Sequence, residues 1–65
     1  MPKFPNVKVQ LSGEDGNVFS IMGRTTRAMR SAGCDEADID AYLKEVTSGN
    51  YDHALQTTMA YVNCD

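Results

Sequence analysis

Residues 6–17 read NVKVQLSGEDGN, and this stretch decides the fold of the 65-residue chain. Apolar and polar residues alternate over residues 6–11, which is the period of a half-buried strand, so we predict the first strand there. Residues 12–17 are rich in types that favour turns. Two folds are compatible with this start: a helix follows the turn, or an Asp15-Gly16 hairpin turn leads into a second strand over residues 18–22.

A helix from Asn17 to Ser31 is the preferred alternative, because its apolar residues recur at spacings of three and four. Asn17 is the predicted N-cap, and Gly33 is suited to the left-handed position that ends the helix. Gly23 lies inside this helix at a cost of about 1 kcal/mol relative to alanine, and it marks either a close backbone contact or the real start of the helix. The predicted inward face consists of Val18, Ile21, Met22, Thr25, Ala28, Met29 and Ala32.

Two shorter helices are predicted in the second half of the chain. The first runs from Glu36 to about Ser48, with Asp35 as its N-cap and with an apolar stripe formed by Ile39, Tyr42, Leu43 and Val46. Gly49 ends this helix and Asn50 caps the next, which begins at Tyr51. The third helix presents one apolar face, formed by Tyr51, Ala54, Leu55, Thr58, Met59 and Val62.

The C-terminal residues 61–65 alternate again, so we expect them to leave the helix and pair with the first strand or with a strand of another chain. The predicted fold class is therefore α+β, a single small domain over residues 1–65 with a short N-terminal strand, three helices and a short C-terminal strand as an option. The methionines at 22, 29 and 59 are expected to fill the core.

The charge of the chain is divided between its two halves. Residues 1–33 carry five basic and two acidic side chains, a net charge of +3, whereas residues 34–65 carry one basic and seven acidic side chains, a net charge of -6. With a sequence pI near 4.8, nucleic acid is not the expected partner. Opposite charges on the two halves favour contacts with another protein or with a second copy. No apolar run is long enough to span a membrane.

The N-terminal residues show no apolar signal segment, so we expect a cytoplasmic protein with reduced thiols. Cys34 and Cys64 are then unpaired, although a disulfide between them would close a loop of about 30 residues. The two cysteines and His53 have no recognised metal spacing, and we predict neither metal nor cofactor. The acidic residues Asp35, Glu36, Asp38 and Asp40 are assigned to a helix cap and a solvated face.

His53 is the only histidine, and catalysis requires a nucleophile and an orienting group near it. The sequence brings no such pair together, so we predict a structural or surface histidine and no enzymatic activity. Cys34 or Cys64 remains the alternative nucleophile.

The candidate ligand-binding residues are Arg24, Arg27 and Arg30, which recur at spacings of three on the first helix. Their guanidinium groups are expected to face water, where they either pair with the acidic half of the chain or bind the phosphate or carboxylate of a ligand. The helix begins at Asn17, and its free backbone N–H groups there offer a second site for an anion.

The sequence resembles a group of short uncharacterised proteins encoded in bacterial and phage genomes. The resemblance extends from about Val7 to Val62 and rests on the Gly-Glu-Asp-Gly-Asn turn over residues 13–17 and the Ser-Gly-Asn-Tyr-Asp-His junction over residues 48–53, with Phe19, Gly23, Arg27 and Gly33 between them. It implies a bacterial or phage cytosolic origin. It assigns no catalytic residue.

These observations predict a small non-enzymatic interaction protein, of the kind that a phage or prophage uses as an accessory factor to bind a host protein. The alternative is a protein that binds or sequesters a nucleotide through the arginine ridge Arg24, Arg27 and Arg30. A homodimer is expected, because a chain of this size buries only part of the apolar area of its helices. The +3 and -6 halves favour an antiparallel pairing of the two copies.

Overall fold

A computed structural model describes residues 1–65. Along the chain, strand β1 (Phe4–Val9) is followed by helices α1 (Val18–Ser31), α2 (Glu36–Val46) and α3 (Tyr51–Tyr61) and by strand β2 (Val62–Cys64). The predicted α+β fold is confirmed, and the hairpin alternative is wrong because residues 18–22 begin α1. No helix combines the length and the apolar character needed to cross a membrane.

The C-terminal strand pairs with the first strand of the same chain, which confirms the first of the two predicted alternatives. The two strands form a parallel sheet in which Phe4 faces Val62 and Val9 faces Cys64. Strand β1 starts at Phe4 and ends at Val9, two residues earlier at each end than predicted. The strand therefore includes Pro5, which has no N–H to donate, and the register of the ladder shifts between Phe4 and Lys8.

Pairing with the tail continues beyond the end of β1. The N–H groups of Leu11 and Ser12 donate to the carbonyl oxygen of Asp65, at 3.0 and 3.1 Å. Leu11 thus remains bonded to the C-terminal tail although it lies outside β1.

The ends of α1 follow the predicted capping. The Asn17 side chain accepts from the N–H of Phe19 at 2.8 Å, and Gly33 has a φ of 87°, the left-handed conformation expected after the helix. Asp15 Oδ1 in turn accepts from the N–H of Asn17 at 3.0 Å. Gly23 lies within the helix, and a Cβ built there meets nothing within 4 Å, so it marks neither a close contact nor the helix start.

Helix α2 ends at Val46, two residues before the predicted end at Ser48. The Thr47 hydroxyl donates to the carbonyl of Leu43 at 2.7 Å, and the Ser48 hydroxyl donates to the carbonyl of Glu45 at 2.7 Å. The backbone N–H groups of Thr47 and Ser48 donate to the same two carbonyls, at 3.3 and 3.1 Å, so these carbonyls are satisfied in the turn that follows the helix. At its start, Asp35 holds the N-cap position without the predicted side-chain bond, and its backbone carbonyl accepts from Asp38 and Ile39.

The core lies where the three helices meet the inner face of the sheet. Its buried members are Val7, Val9, Met29, Ile39, Tyr42, Val46, Ala54 and Val62. Between α2 and α3, the buried Tyr42 hydroxyl shares a hydrogen bond of 2.9 Å with Thr58, whose own hydroxyl also lies 2.9 Å from the carbonyl of Ala54. Thr26 is buried although it was not predicted, whereas Ala32 is exposed.

Candidate functional site

Large apolar side chains remain exposed near the start of α1 and along one side of α3. Phe19 is 74% exposed, Tyr51 48% and Met59 46%. The prediction that Met59 fills the core is wrong, and only Met29 among the predicted methionines is completely buried. Tyr51 and Met59 lie with the half-buried Leu55 along one edge of α3, at spacings of four, whereas Ala54, Thr57 and Thr58 are buried.

Two apolar clefts flank the Tyr51 ring. The first, here called the Phe19 cleft, has a volume of about 270 Å³ and lies between α1, the end of α2 and the start of α3. Its apolar lining consists of Val18, Phe19, Met22, Val46, Tyr51 and Ala54.

The second cleft, here called the Arg24 cleft, lies between the turn after β1 and helices α1 and α3. It has a volume of about 300 Å³. Its lining is formed by Leu11, Ser12, Gly16, Ile21, Arg24, Tyr51, Leu55 and Met59. Because Tyr51 lines both clefts, we treat them as one surface and call it the Tyr51 face.

Tyr51 is fixed in place by its hydroxyl, which donates to the carbonyl oxygen of Gly16 at 2.6 Å. A Cβ at Gly16 would come within 3.2 Å of that hydroxyl, so the absence of a side chain lets the turn approach α3. The wall between the clefts is thus tied to the turn before α1.

The prediction that Arg24 faces water is wrong, because its side chain is half-buried. Its Nη1 donates to the Ser20 hydroxyl at 2.7 Å and its Nη2 to the carbonyl oxygen of Asp15 at 3.1 Å, while the Nε atom is buried without a partner. The guanidinium therefore lies back toward the N-terminus of α1, beside the turn that precedes the helix. No carboxylate lies within ion-pair distance of it.

The three arginines of the predicted ridge differ in their surroundings. Arg30 Nε lies 3.3 Å from Glu36 Oε2, which is the predicted pairing of the basic half of the chain with the acidic half. Arg27 is exposed and has no ion pair or side-chain hydrogen bond. The three guanidinium groups therefore do not share a partner, and only Arg24 lines an apolar cleft.

His53 belongs to a cluster at the junction of α2 and α3. Its Nε2 lies 3.0 Å from Ser48 Oγ, from the Glu45 carbonyl oxygen and from Glu45 Oε2. All these groups converge on one ring nitrogen, whereas a catalytic triad requires the carboxylate and the hydroxyl on opposite nitrogens. The cluster joins the end of α2 to α3 and has the geometry of a structural histidine.

The sequence showed no partner for His53, because Glu45 and Ser48 belong to the preceding helix and its end. In the structure, the His53 ring lies against Gly49 and so reaches back to the end of α2. A Cβ at Gly49 would lie 2.7 to 2.9 Å from atoms of His53, so glycine is needed there for packing and not for its backbone angles.

The two cysteines are free thiols on different parts of the surface. Burial, with the nearby carboxylates of Asp38 and Asp35, raises the pKa of Cys34, and burial with the Asp65 carboxylate raises the pKa of Cys64. A raised pKa leaves less reactive thiolate at neutral pH. Neither cysteine has the environment of an activated nucleophile.

A larger but polar depression of about 430 Å³ lies at the end of the sheet. It is lined by Lys8, Val9, Gln10, Asn63 and Asp65. With one apolar residue in its lining, it offers less to a partner than the Tyr51 face does.

Comparisons with protein-family models, curated proteins and solved structures found no match for this chain. The Tyr51 face is therefore defined by geometry alone. The sequence placed Tyr51, Leu55 and Met59 on one side of α3 but did not indicate that this side extends beyond the core, because it did not show how far the turn and α1 cover it.

Proposed function

We propose that this chain is a small non-enzymatic interaction protein and that its contact surface is the Tyr51 face. The observation that carries the proposal is the pair of apolar clefts on either side of one anchored tyrosine, with Phe19 at 74% exposure beside them. Aromatic and methionine side chains are enriched at protein interfaces, and exposed apolar patches mark interaction sites. Together with the resemblance to short bacterial and phage proteins, this supports a cytoplasmic accessory factor that binds a host protein.

The experiment is site-specific photocrosslinking in bacterial cells, with a photoreactive phenylalanine analogue at position 19. The matched control carries the same analogue at the exposed Asp40, which lines neither cleft. The proposal expects a discrete crosslinked protein from position 19 and none from position 40. Equal labelling from both positions, or none from either, would contradict it.

Self-association belongs to the same proposal. The chain exposes unpaired basic side chains such as Arg27 in its first half and acidic side chains such as Asp35 and Asp52 in its second half, and apolar side chains are exposed in both. A homodimer in an antiparallel arrangement would bring these charges together twice. Sedimentation equilibrium in about 0.15 M salt tests it: a species of twice the 7.1 kDa monomer mass supports the dimer, and the monomer mass at all concentrations rejects it.

Anionic-ligand binding is the second candidate function, and the charge of Arg24 favours it. Arg24 and Arg27 lack carboxylate partners, so both guanidinium groups are available to an anion. Calorimetric titration with mono-, di- and cyclic nucleotides tests the ridge, and Arg27→Ala should abolish binding if the ridge holds the phosphate. Full binding by that variant would remove Arg27 from the site.

A further inference from the structure

We propose that the Arg24 cleft binds a small apolar carboxylate, a monocarboxylic acid with an aliphatic or aromatic body. The body lies against Leu11, Ile21 and Leu55, and the carboxylate accepts hydrogen bonds from the Arg24 guanidinium. This inference rests on the second candidate function, anionic-ligand binding, and changes its ligand class from a nucleotide to an apolar monoanion.

Arg24 carries a positive charge that no carboxylate of the chain balances. Its two side-chain hydrogen bonds go to neutral acceptors, the Ser20 hydroxyl and the Asp15 carbonyl, and its Nε–H is buried without an acceptor. A half-buried guanidinium without a carboxylate is incompletely satisfied, because charge-assisted bonds to an anion are stronger than bonds to neutral groups. The buried Nε–H is closed to a ligand, but each Nη atom carries two N–H groups of which only one is used, so one N–H on each Nη is left for a ligand carboxylate that supplies the missing negative charge.

The Arg24 guanidinium is already held in position by two hydrogen bonds. Ser20 fixes it from the preceding turn of α1, and the Asp15 carbonyl fixes it from the turn, where Asp15 is itself held by its bond to the N–H of Asn17. Less side-chain freedom is lost on binding to such a group than on binding to a free side chain such as Arg27.

The size and lining of the Arg24 cleft select the ligand class. Its volume of about 300 Å³ is at the lower end of the range for small-molecule sites, and most of its lining is apolar. Arg24 is the only cationic residue in this lining. One positive charge with apolar walls matches a monoanion with an apolar body, whereas a nucleotide brings several negative charges and a polar base.

The test is an NMR titration of the isotope-labelled protein, following backbone amide shifts. The probes are hexanoate and phenylacetate, and the matched neutral probes are hexanamide and phenylacetamide. We expect saturable shifts centred on residues 11, 21, 24 and 55, with a Kd of about 1 mM or below for the carboxylates and at least about tenfold weaker binding of the amides.

Three variants assign the charge. Arg24→Met keeps the apolar stem and should weaken carboxylate binding at least about tenfold, Arg24→Lys should retain part of it, and the control Arg27→Met should change it by less than about twofold. The comparison of acid with amide uses the unaltered protein, so it decides the matter even if a variant at position 24 fails to fold.

The inference is overturned if acid and amide bind equally, if shifts do not saturate, or if Arg24→Met binds carboxylate as tightly as the unaltered protein does. Nucleotide binding that depends on Arg27, without binding of the carboxylates, overturns the inference and leaves anionic-ligand binding in place. Failure of both nucleotides and carboxylates removes the second candidate function as well.

Discussion

The Tyr51 hydroxyl donates to the carbonyl oxygen of Gly16 across 35 positions of sequence, at a distance of 2.6 Å. This bond ties the first residue of α3 to the turn before α1. Since Tyr51 also forms the wall shared by the Phe19 cleft and the Arg24 cleft, the same bond sets the relative position of the two clefts.

Tyr51→Phe should lower the free energy of unfolding by only about 0.5 kcal/mol, because both partners of the lost bond are exposed and regain water. The local structure should change more: backbone amide chemical shifts should change in the turn over residues 12–17 as well as near residue 51. The control is Tyr61→Phe, whose ring packs on Phe4 and Tyr42 and whose hydroxyl has no partner in the protein. Chemical-shift changes confined to α3 would show that the Tyr51 hydroxyl does not hold the turn in place.

The buried bond between Tyr42 and Thr58 predicts an asymmetry between its two partners. In Tyr42→Phe, the Thr58 hydroxyl keeps its bond to the Ala54 carbonyl, so the loss should be about 1 kcal/mol. In Thr58→Val, the Tyr42 hydroxyl is left buried without a partner, and the loss should be about 2 kcal/mol.

Urea unfolding measures both losses, and the double variant provides a control. Because the two residues interact directly, the double variant should be more stable than the sum of the single losses predicts. Equal single losses that add would show that the hydroxyls do not depend on each other.

Two glycines predict opposite effects of the same substitution. Gly23 lies in the middle of α1 with open space around its missing side chain, so Gly23→Ala should stabilise the protein by about 1 kcal/mol. Gly49→Ala places a methyl group within 2.9 Å of His53 and should destabilise by about 1 to 3 kcal/mol. Thermal unfolding should show a higher Tm for the first and a lower Tm for the second. A rise for both would mean that the His53 ring moves freely away from residue 49.

The two thiols predict a loss of stability at alkaline pH. Burial raises the pKa of Cys34 and Cys64 in the folded chain above the ordinary value of 9.0, so folding favours the neutral thiols. The stabilisation is complete below the ordinary value, where both states are protonated, and falls as the pH rises above it, because the unfolded chain releases its protons first.

Unfolding at pH 7 and pH 10 measures this loss against a variant with serine at positions 34 and 64. The serine variant should lose less stability between the two pH values, since its hydroxyls do not ionise there. An identical loss in both proteins would assign the alkaline effect to other groups.

Local signals predicted most of the fold. The alternation in β1, the caps at Asn17 and Asn50 and the glycine at 33 are each determined by neighbouring residues, and all are confirmed. One error is local and one is tertiary. Helix α2 ends two residues early, in a turn where Thr47 and Ser48 bond back to Leu43 and Glu45, whereas the first strand extends back over Pro5 because residues 62–64 pair with it.

The candidate site was harder to predict than the fold. Periodicity placed Arg24 on the outer side of α1, but it did not show that the turn over residues 12–17 folds close enough to draw the guanidinium in. In the same way, the pattern grouped Tyr51 and Met59 with the core residues of α3 because periodicity shows the direction of a side chain and not the extent of the surface that covers it.

The most direct test of the proposed Tyr51 face is the affinity for the protein that position 19 crosslinks, measured by calorimetry with the purified partner. Phe19→Ser removes an exposed ring, so its unfolding free energy should change by less than about 0.5 kcal/mol while its Kd rises at least about 30-fold. Asp40→Ser, on the exposed side of α2, should bind like the unaltered protein. If Phe19→Ser binds as tightly as the unaltered protein, the Tyr51 face is not the contact surface.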